Sequence, residues 1–526
     1  MLYLSFIWHM HQPYYKDLVS GEMHLPWVRL HGIKDYLDMV KILENYPKIH
    51  QTFNLVPSLI EQIQAYTEGA WDKYQILSDK KAGELNQEEK HFIREHFFAA
   101  HLKNIISIYP RYYELYLKKQ VKKDFTTQDY LDLMVWFNLA WFDPYCKNNI
   151  PQLRNLIAQA RNFSEEDKQD VLTRQIEVLR EILPVYKKFQ DRGQIEVTTT
   201  PYYHPISPLL YDSNIAKEAN HRTSLPEVRF AYPEDLTSQI RQAVELYKNV
   251  FGKPPQGMWP SEEAVSEHIL PYMQESGIKW IITDEEILTR SIKKKRTSRI
   301  LYKPYLLKRE KGGLAVLFRD RNLSDLIGFV YHGLSEQAGV ADFIGHLHTI
   351  AKGFKGEDCL VVIAMDGENA WEYYKNDGWD FLSRLYRCLS EDRLIKTVTV
   401  SEYLREHPAK DNIRRLSAGS WIYGNFNKWM GQEQKNKAWD YLARAREELE
   451  LLALPAEGGS AYGGNSRLSA ENLQKAWKQI YICEGSDWFW WYGDNNADFD
   501  YLYRRHLSNF YKFIGQEPPE YLSRPI

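Results

Sequence analysis

Apolar residues follow two rhythms along this chain. Short apolar runs at Leu2–Trp8, Gln51–Leu55, Ile195–Thr200, Gln256–Trp259, Trp280–Thr283, Ala315–Phe318 and Leu360–Met365 carry the β-branched and aromatic residues that strands favour. Between them, Met39–Leu43, Asp235–Tyr247, Val265–Ser276 and Val340–Phe354 repeat apolar positions at helical spacing. Alternating strands and helices predict a parallel sheet covered by helices and closed, or nearly closed, into a barrel. A last strand and turn are expected over Lys396–Tyr403. Two regions break the rhythm. From about residue 59 to 192 the pattern is helical, notably Glu88–Ile105 and Glu165–Asp191, and reads as an insertion. Ser164 is placed to cap the latter helix, residues 165–167 complement its dipole, and Gly193 stands at its C-terminal end. Pro184 should kink that helix or divide it. Beyond about residue 420 the chain is again helical, over Gln432–Leu452 and Ser469–Ile482, with a flexible Gly/Ser stretch expected at Glu457–Asn465.

Several of these runs end abruptly at polar residues, as barrel strands do when they deliver side chains to the C-terminal mouth. The run Cys359–Met365 stops at Asp366-Gly367-Glu368-Asn369, and Gln256–Pro260 stops at Ser261-Glu262-Glu263. Spacing leaves open which of Glu262 and Glu263 points inward, since Ser261 could cap a helix with both in its first turn. It likewise leaves Asp366 and Glu368 sharing one face if the strand continues. Two carboxyls among aromatic residues are the minimal equipment for cleaving a glycosidic bond: about 5 to 5.5 Å apart for retention, about 6.5 to 9.5 Å for inversion. After the first strand, His9-Met10-His11-Gln12-Pro13 places His9 and His11 on one side. Such a pair could ligate zinc, could be satisfied within the core, or could hydrogen-bond sugar hydroxyls. A metal would need further ligands, and none of the 16 histidines has a partner at His-x-x-x-His spacing; no metal and no cofactor is expected. Tyr202-Tyr203-His204-Pro205 and Arg319-Asp320-Arg321 with Asp325 also follow strand ends.

Composition narrows the classes. With 44% apolar residues in 526, a large core is available. Lys and Arg total 67 against 70 for Asp and Glu, a balance without the basic face that nucleic acids or anionic membranes require. No apolar run approaches the roughly 20 residues of a membrane span, and Met1–Trp8 lacks the positive region and cleavage site of a signal peptide. The four cysteines show no Cys-x-x-Cys spacing, which argues against a disulfide framework and for a reducing, cytoplasmic setting. Aromatic residues make up 14%, with 16 Trp and 36 Tyr, and Trp488, Trp490 and Trp491 crowd into Glu484–Gly493, where substrate or a domain seam is expected.

These motifs resemble glycoside hydrolase family 57. Its regions correspond in order to His11-Gln12-Pro13, Gly193–Glu196 with His204, Gly257-Met258-Trp259-Pro260-Ser261-Glu262, the apolar strand into Asp366-Gly367-Glu368, and Thr397–Tyr403. The resemblance implies Glu262 as nucleophile, Asp366 as general acid/base, and an incomplete (β/α)7 barrel with a helical insertion and a helical C-terminal domain. The expected division is residues 1–410 for the barrel, including the insertion at about 59–192, and 411–526 for the helical part that completes the groove. It further implies retaining hydrolysis of α-1,4-linked glucans, with α-1,6 linkages open. Trp259-Pro260-Ser261-Glu262, the stretch at Gly419–Trp429 and Glu484–Gly493 look most like its α-amylase and amylopullulanase branch. A 4-α-glucanotransferase or branching enzyme would use the same machinery, and a metal-dependent polysaccharide deacetylase or a noncatalytic glucan-binding protein are rivals of other classes. The expected substrate-binding residues are His9, His11, Gln12, His204, Trp259, Arg319, Asp320, Trp371, Trp421, Trp429 and Trp488. The partner is an α-glucan, and the protein is expected as a monomer or small homo-oligomer.

Overall fold

Ten strands organise the described residues, which are 1–309, 312–453, 468–494 and 496–526 of this computed structural model. They are β1 (Leu2–Met10), β2 (Gln51–Leu55), β3 (Ile195–Thr198), β4 (Gly257–Met258), β5 (Trp280–Asp284), β6 (Tyr305–Arg309), β7 (Gly312–Arg319), β8 (Cys359–Asp366), β9 (Ile395–Thr397) and β10 (Asp411–Asn412). The expected Gly/Ser stretch Glu457–Asn465 lies outside the described residues.

β3-β2-β1-β8 form one parallel run and β4-β5-β7 another. A bridge between Thr199 and Met258 joins β3 to β4. On the other side, Asp320 N–H donates to the Val362 carbonyl at 2.8 Å and connects β7 to β8. Seven strands thus complete a circuit, closed at two seams by isolated contacts rather than ladders: an incomplete (β/α)7 barrel. β6 returns antiparallel on β7 and carries β10, while β9 lies beside the first residues of β1.

Period-two alternation sorts the side chains of each strand. Leu4, Phe6 and Trp8 of β1 join the main core beneath the helices, whereas Ile7 belongs to a separate interior cluster. That cluster includes Trp280 and Ile282 of β5, Ala315 and Leu317 of β7, and Leu360, Val362 and Ala364 of β8. It is the filling of the barrel, and the next inward positions along the same rows are His9, Asp284, Arg319 and Asp366. Register confirms the alignment: Ile7 pairs with Ala364, and His9 with Asp366 and Asn54.

Helices from Pro57–Thr67 to Glu165–Asp191 separate β2 from β3. Arg29 staples this insertion to the barrel, with its guanidinium bonded to Asp72, Asn138 and Gln175 and fully buried. Ser164 forms the expected cap, and Gly193 follows the helix at φ 79°. Pro184 does not divide the 27-residue helix; Ile182, Val185, Tyr186 and Phe189 bury its inner face, and that packing outweighs the missing backbone bond. The stretch expected as one helix over Glu88–Ile105 is instead Gln87–His96 and a turn at Leu102–Ile106, between which Ala99, Ala100 and His101 reach the cleft. Val265–Ser276 shortens to Glu267–Ile269 and Leu270–Glu275, because Val265 pairs with Gly419. The C-terminal helices are Glu433–Ala453, Ala470–Cys483, Ser486–Trp491 and Ala497–Phe513. All four cysteines are free thiols, and no helix among the described residues is long and apolar enough to cross a membrane.

Candidate active site

The C-terminal ends of the strands open into one cleft of about 820 Å³, lined by His9, His11, Gln12, His204, Glu262, Asp366, Glu368, Trp421 and Asp487 among others. Asp366 is the last residue of β8. Gly367 follows it against β1, with the Met10 side chain and the His9 carbonyl packed where a Cβ would stand. Glu368 then turns away from Asp366 and accepts from the His11 amide at 3.1 Å and from the Gln12 side chain and Tyr36 hydroxyl, each at 3.4 Å. Asp366 instead receives the Asn369 amide at 3.0 Å.

Glu262 and Glu263 diverge because both adopt left-handed backbone, φ 57° and 50°. Such conformations cost about 1–3 kcal/mol outside glycine. Glu262 emerges into the cleft, where its Oε2 accepts from the Trp421 indole at 2.8 Å. Glu263 is fully buried, and neither of its oxygens has a hydrogen-bond partner among the described residues. Burial and the nearby Asp366 charge push Glu262 up to about 8, while the Trp421 indole favours its ionised form. Burial also raises Asp366, with Asn369, His11 and Arg319 acting against it.

Three imidazoles form the floor. His9 stacks on Trp259 at 4.8 Å and donates from Nδ1 to the Asn54 side-chain oxygen at 2.7 Å. His204, at φ 59°, is bonded through Nδ1 to the Ser486 hydroxyl at 2.8 Å, and His11 Nε2 lies 2.9 and 3.0 Å from the two Asp487 oxygens. Burial lowers His9 to about 3, and burial with the neighbouring imidazoles holds His204 well below its usual value, so both are neutral hydrogen-bonding groups.

His11, His204 and Asp487 bring potential ligand atoms within 4.8 Å of one another. Yet the two rings stack at 4.0 Å with only 22° between planes. Their lone pairs therefore lie in two nearly parallel, separated planes, whereas zinc needs each nitrogen to aim, in the plane of its own ring, at one ion from about 2.0–2.1 Å. The side chains as placed do not fit a zinc centre.

Aromatic walls complete the cleft: Tyr15, Trp27, Trp141, Trp421, Trp490, Trp491 and Phe499, with the exposed Phe329 and Tyr373 at the rim. Of the expected substrate-binding residues, His9, His11, Gln12, His204 and Trp421 line it. Trp259 and Arg319 lie beneath it: Trp259 is fully buried and packs on Trp421, and the Arg319 guanidinium sits 5.2 Å from the Trp421 ring. The other four are structural. Asp320 caps the Arg321–Asp325 helix and accepts from Tyr302 and Arg296. Trp371 donates to the Gly367 carbonyl, Trp488 donates to the Ile482 carbonyl, and Trp429 packs beside Trp490; all three are buried. Trp490 and Trp491 take the place expected for Trp488, since on the short Ser486–Trp491 helix Trp488 and Phe489 face the core. Asp487, Tyr15, Trp27 and Trp141 were not anticipated as cleft residues. Asp487 has a local signal, an acid in the first turn of an aromatic helix, but Trp27 and Trp141 come from distant helices and have none.

A seven-stranded β/α barrel with two coupled carboxyls in an aromatic cleft is the class of protein defined here. The model of glycosyl hydrolase family 57 matches residues 5–414, and the chain belongs to that family. It is 19% identical over 408 residues to a 1,4-α-glucan branching enzyme of Thermococcus kodakarensis, covering 64% of this chain and 56% of that protein. It is 26% identical over 236 residues to an α-amylase of Pyrococcus furiosus, covering 43% of this chain and 30% of that one. The chain thus spans about half, or less, of the curated relatives it matches. Its fold is similar to that of a family 57 branching enzyme of Pyrococcus horikoshii, with TM-score 0.62, 18% identity and 98% of both chains covered. It is also similar to the α-amylase AmyC of Thermotoga maritima, with TM-score 0.60, 14% identity and 98% and 92% covered.

Proposed function

We propose that this protein is a retaining enzyme of α-1,4-linked glucans, in which Glu262 attacks the anomeric carbon while Asp366 protonates the departing oxygen. Asp366 then takes the proton of the incoming water, and two displacements restore the α configuration. The observation that carries this reading is that Glu262 and Asp366 line a single aromatic-walled cleft and sense each other's charge. Two such carboxyls lose their protons as a pair. The Trp421 indole favours the anion on Glu262, the form that attacks, against burial and the Asp366 charge that hold this carboxyl up to about 8; the first displacement requires the pair's proton on Asp366, the acid's role. Neutral His9 and His204 suit sugar hydroxyls, and Trp421 offers an apolar face. Residues 1–410 would form the catalytic unit, and 411–526 the part that closes the groove with Trp421, Ser486 and Asp487.

The relative named a branching enzyme favours a second reading, transfer to a sugar hydroxyl in place of water. Amylose separates the two. Hydrolysis releases reducing ends, whereas transfer changes iodine staining with reducing ends conserved. Either way the first products should carry the α anomer by proton NMR, and Glu262→Gln should lower turnover by ~10³-fold or more with the fold intact. A Glu262→Gln variant of near-parental activity would refute the assignment.

A further inference from the structure

We propose that the groove between the Pro57–Thr67 helix, the loop at residues 201–205 and the Ala470–Cys483 helix is a second, noncatalytic binding site for a neutral α-glucan chain. The α-glucan identity rests on the function proposed above; the carbohydrate character of the site does not.

The groove holds about 540 Å³ and shares no lining residue with the catalytic cleft. That size is in the usual range of small-ligand sites, ~300–1,000 Å³. Charge is cancelled at its base. Glu61 accepts from the hydroxyls of Tyr14, Tyr202 and Tyr203 at 2.5, 3.0 and 3.2 Å and from the Lys478 ammonium at 2.6 Å. With carboxylate and ammonium paired, the groove offers no net positive charge to a phosphate or an acidic peptide. What remains is aromatic surface and neutral amides. Trp477 and Tyr481 stand 5.7 Å apart. The Arg446 guanidinium backs the Trp477 ring at 4.6 Å and is itself locked by two bonds to Asp235, so this platform is fixed before any ligand arrives. The side-chain amides of Gln242 and Gln474 line the groove, and no protein partner engages them among the described residues. Each amide can both donate and accept, as a sugar hydroxyl does. Fixed aromatic faces with uncommitted amides and no net charge match the apolar faces and hydroxyl edges of a neutral sugar chain. Tyr202 and Tyr203 run directly into His204 of the catalytic cleft, so a polymer held here would raise its own local concentration at the active site.

Native electrophoresis through glycogen-containing gels tests this with the full chain. Trp477→Ala should weaken retardation about fivefold or more, while the rate on maltotetraose, too short to engage both sites, stays within about twofold of the parent. The double variant Gln242→Ala with Gln474→Ala, at positions outside the core, should lose retardation in the same direction and decides the matter if Trp477→Ala fails to fold. Parental retardation in the folded variants, or a parent that glycogen does not retard, would overturn the proposal. A parent that is retarded through these residues yet consumes no α-glucan would leave the groove in place and refute the catalytic reading alone.

Discussion

Glu262 holds a left-handed backbone and a carboxyl that burial and Asp366 raise from 4.5 to about 8. Both features disfavour the folded state. A carboxyl raised on folding binds its proton more tightly in the native than in the unfolded chain, so between pH 4.5 and about 8 the native state holds more protons and stability falls as pH rises. Glu262→Gln removes that titration. Its stability relative to the parent should therefore rise through this window, by up to about 1.4 kcal/mol per pH unit, and level off on either side. Urea midpoints at pH 5, 6.5 and 8 measure the difference, and an advantage independent of pH would show that Glu262 titrates normally. The left-handed turn remains in the variant, so any constant offset reports packing and not ionisation.

At the scale of elements, the barrel is built from inward rows whose apolar positions fill the interior and whose last members form the mouth. Those apolar bursts are why the main strands and the Asp366 terminus could be read from the sequence. β6 and β10 were missed because the apolar run of β6 is only Tyr305-Leu306-Leu307 before Lys308, and the two polar residues of β10 carry none. The carboxyl alternatives could not be separated by spacing, because backbone φ at positions 262 and 263 divides one pair, and long-range partners of Glu368, the His11 amide and the Tyr36 hydroxyl, divide the other. Trp371, Trp429 and Trp488 read as platforms because density of tryptophan is visible in sequence whereas the face it presents is set by helix phase. Glu196, part of the recognised Gly193–Glu196 motif, works at the other end of the barrel: it accepts from the Trp280 indole at 3.1 Å and from the Ser401 amide and hydroxyl at 2.8 and 2.5 Å. Trp280 in turn lies across Gly257, where a Cβ would meet its ring at 2.0 Å. Gly257→Ala must displace that indole, and overpacking of this kind costs about 1–3 kcal/mol. A urea midpoint equal to the parent's would show that the β4–β5 packing yields more easily than the contact implies.

On the scale of the whole molecule, the C-terminal helices are bonded to the barrel at several separated places. Ser486 and His204 meet through backbone and side chain, Arg505 and Asn509 both reach Asp17, and Arg446 grips Asp235 at 2.7 and 3.0 Å. The last pair is the most consequential, since both side chains are almost wholly buried and Arg446 is packed against Tyr232 and Trp477. Removing Asp235 leaves the buried Arg446 guanidinium only the exposed Glu234 and Glu450 as acidic ion-pair partners among the described residues, whereas removing both members takes the buried charge away with its partner. Asp235→Ala should therefore destabilise by about 3–5 kcal/mol, and Asp235→Leu combined with Arg446→Met by distinctly less. Because the same helices complete the cleft through Asp487, Trp490 and Trp491, unfolding followed by tryptophan fluorescence, far-ultraviolet circular dichroism and activity should give one coincident transition, shifted as a whole in the single variant. Two separated transitions, with the barrel outlasting the C-terminal helices, would mean that this seam is a docking contact between independent units rather than a shared core. The cleft would then be assembled only when they meet.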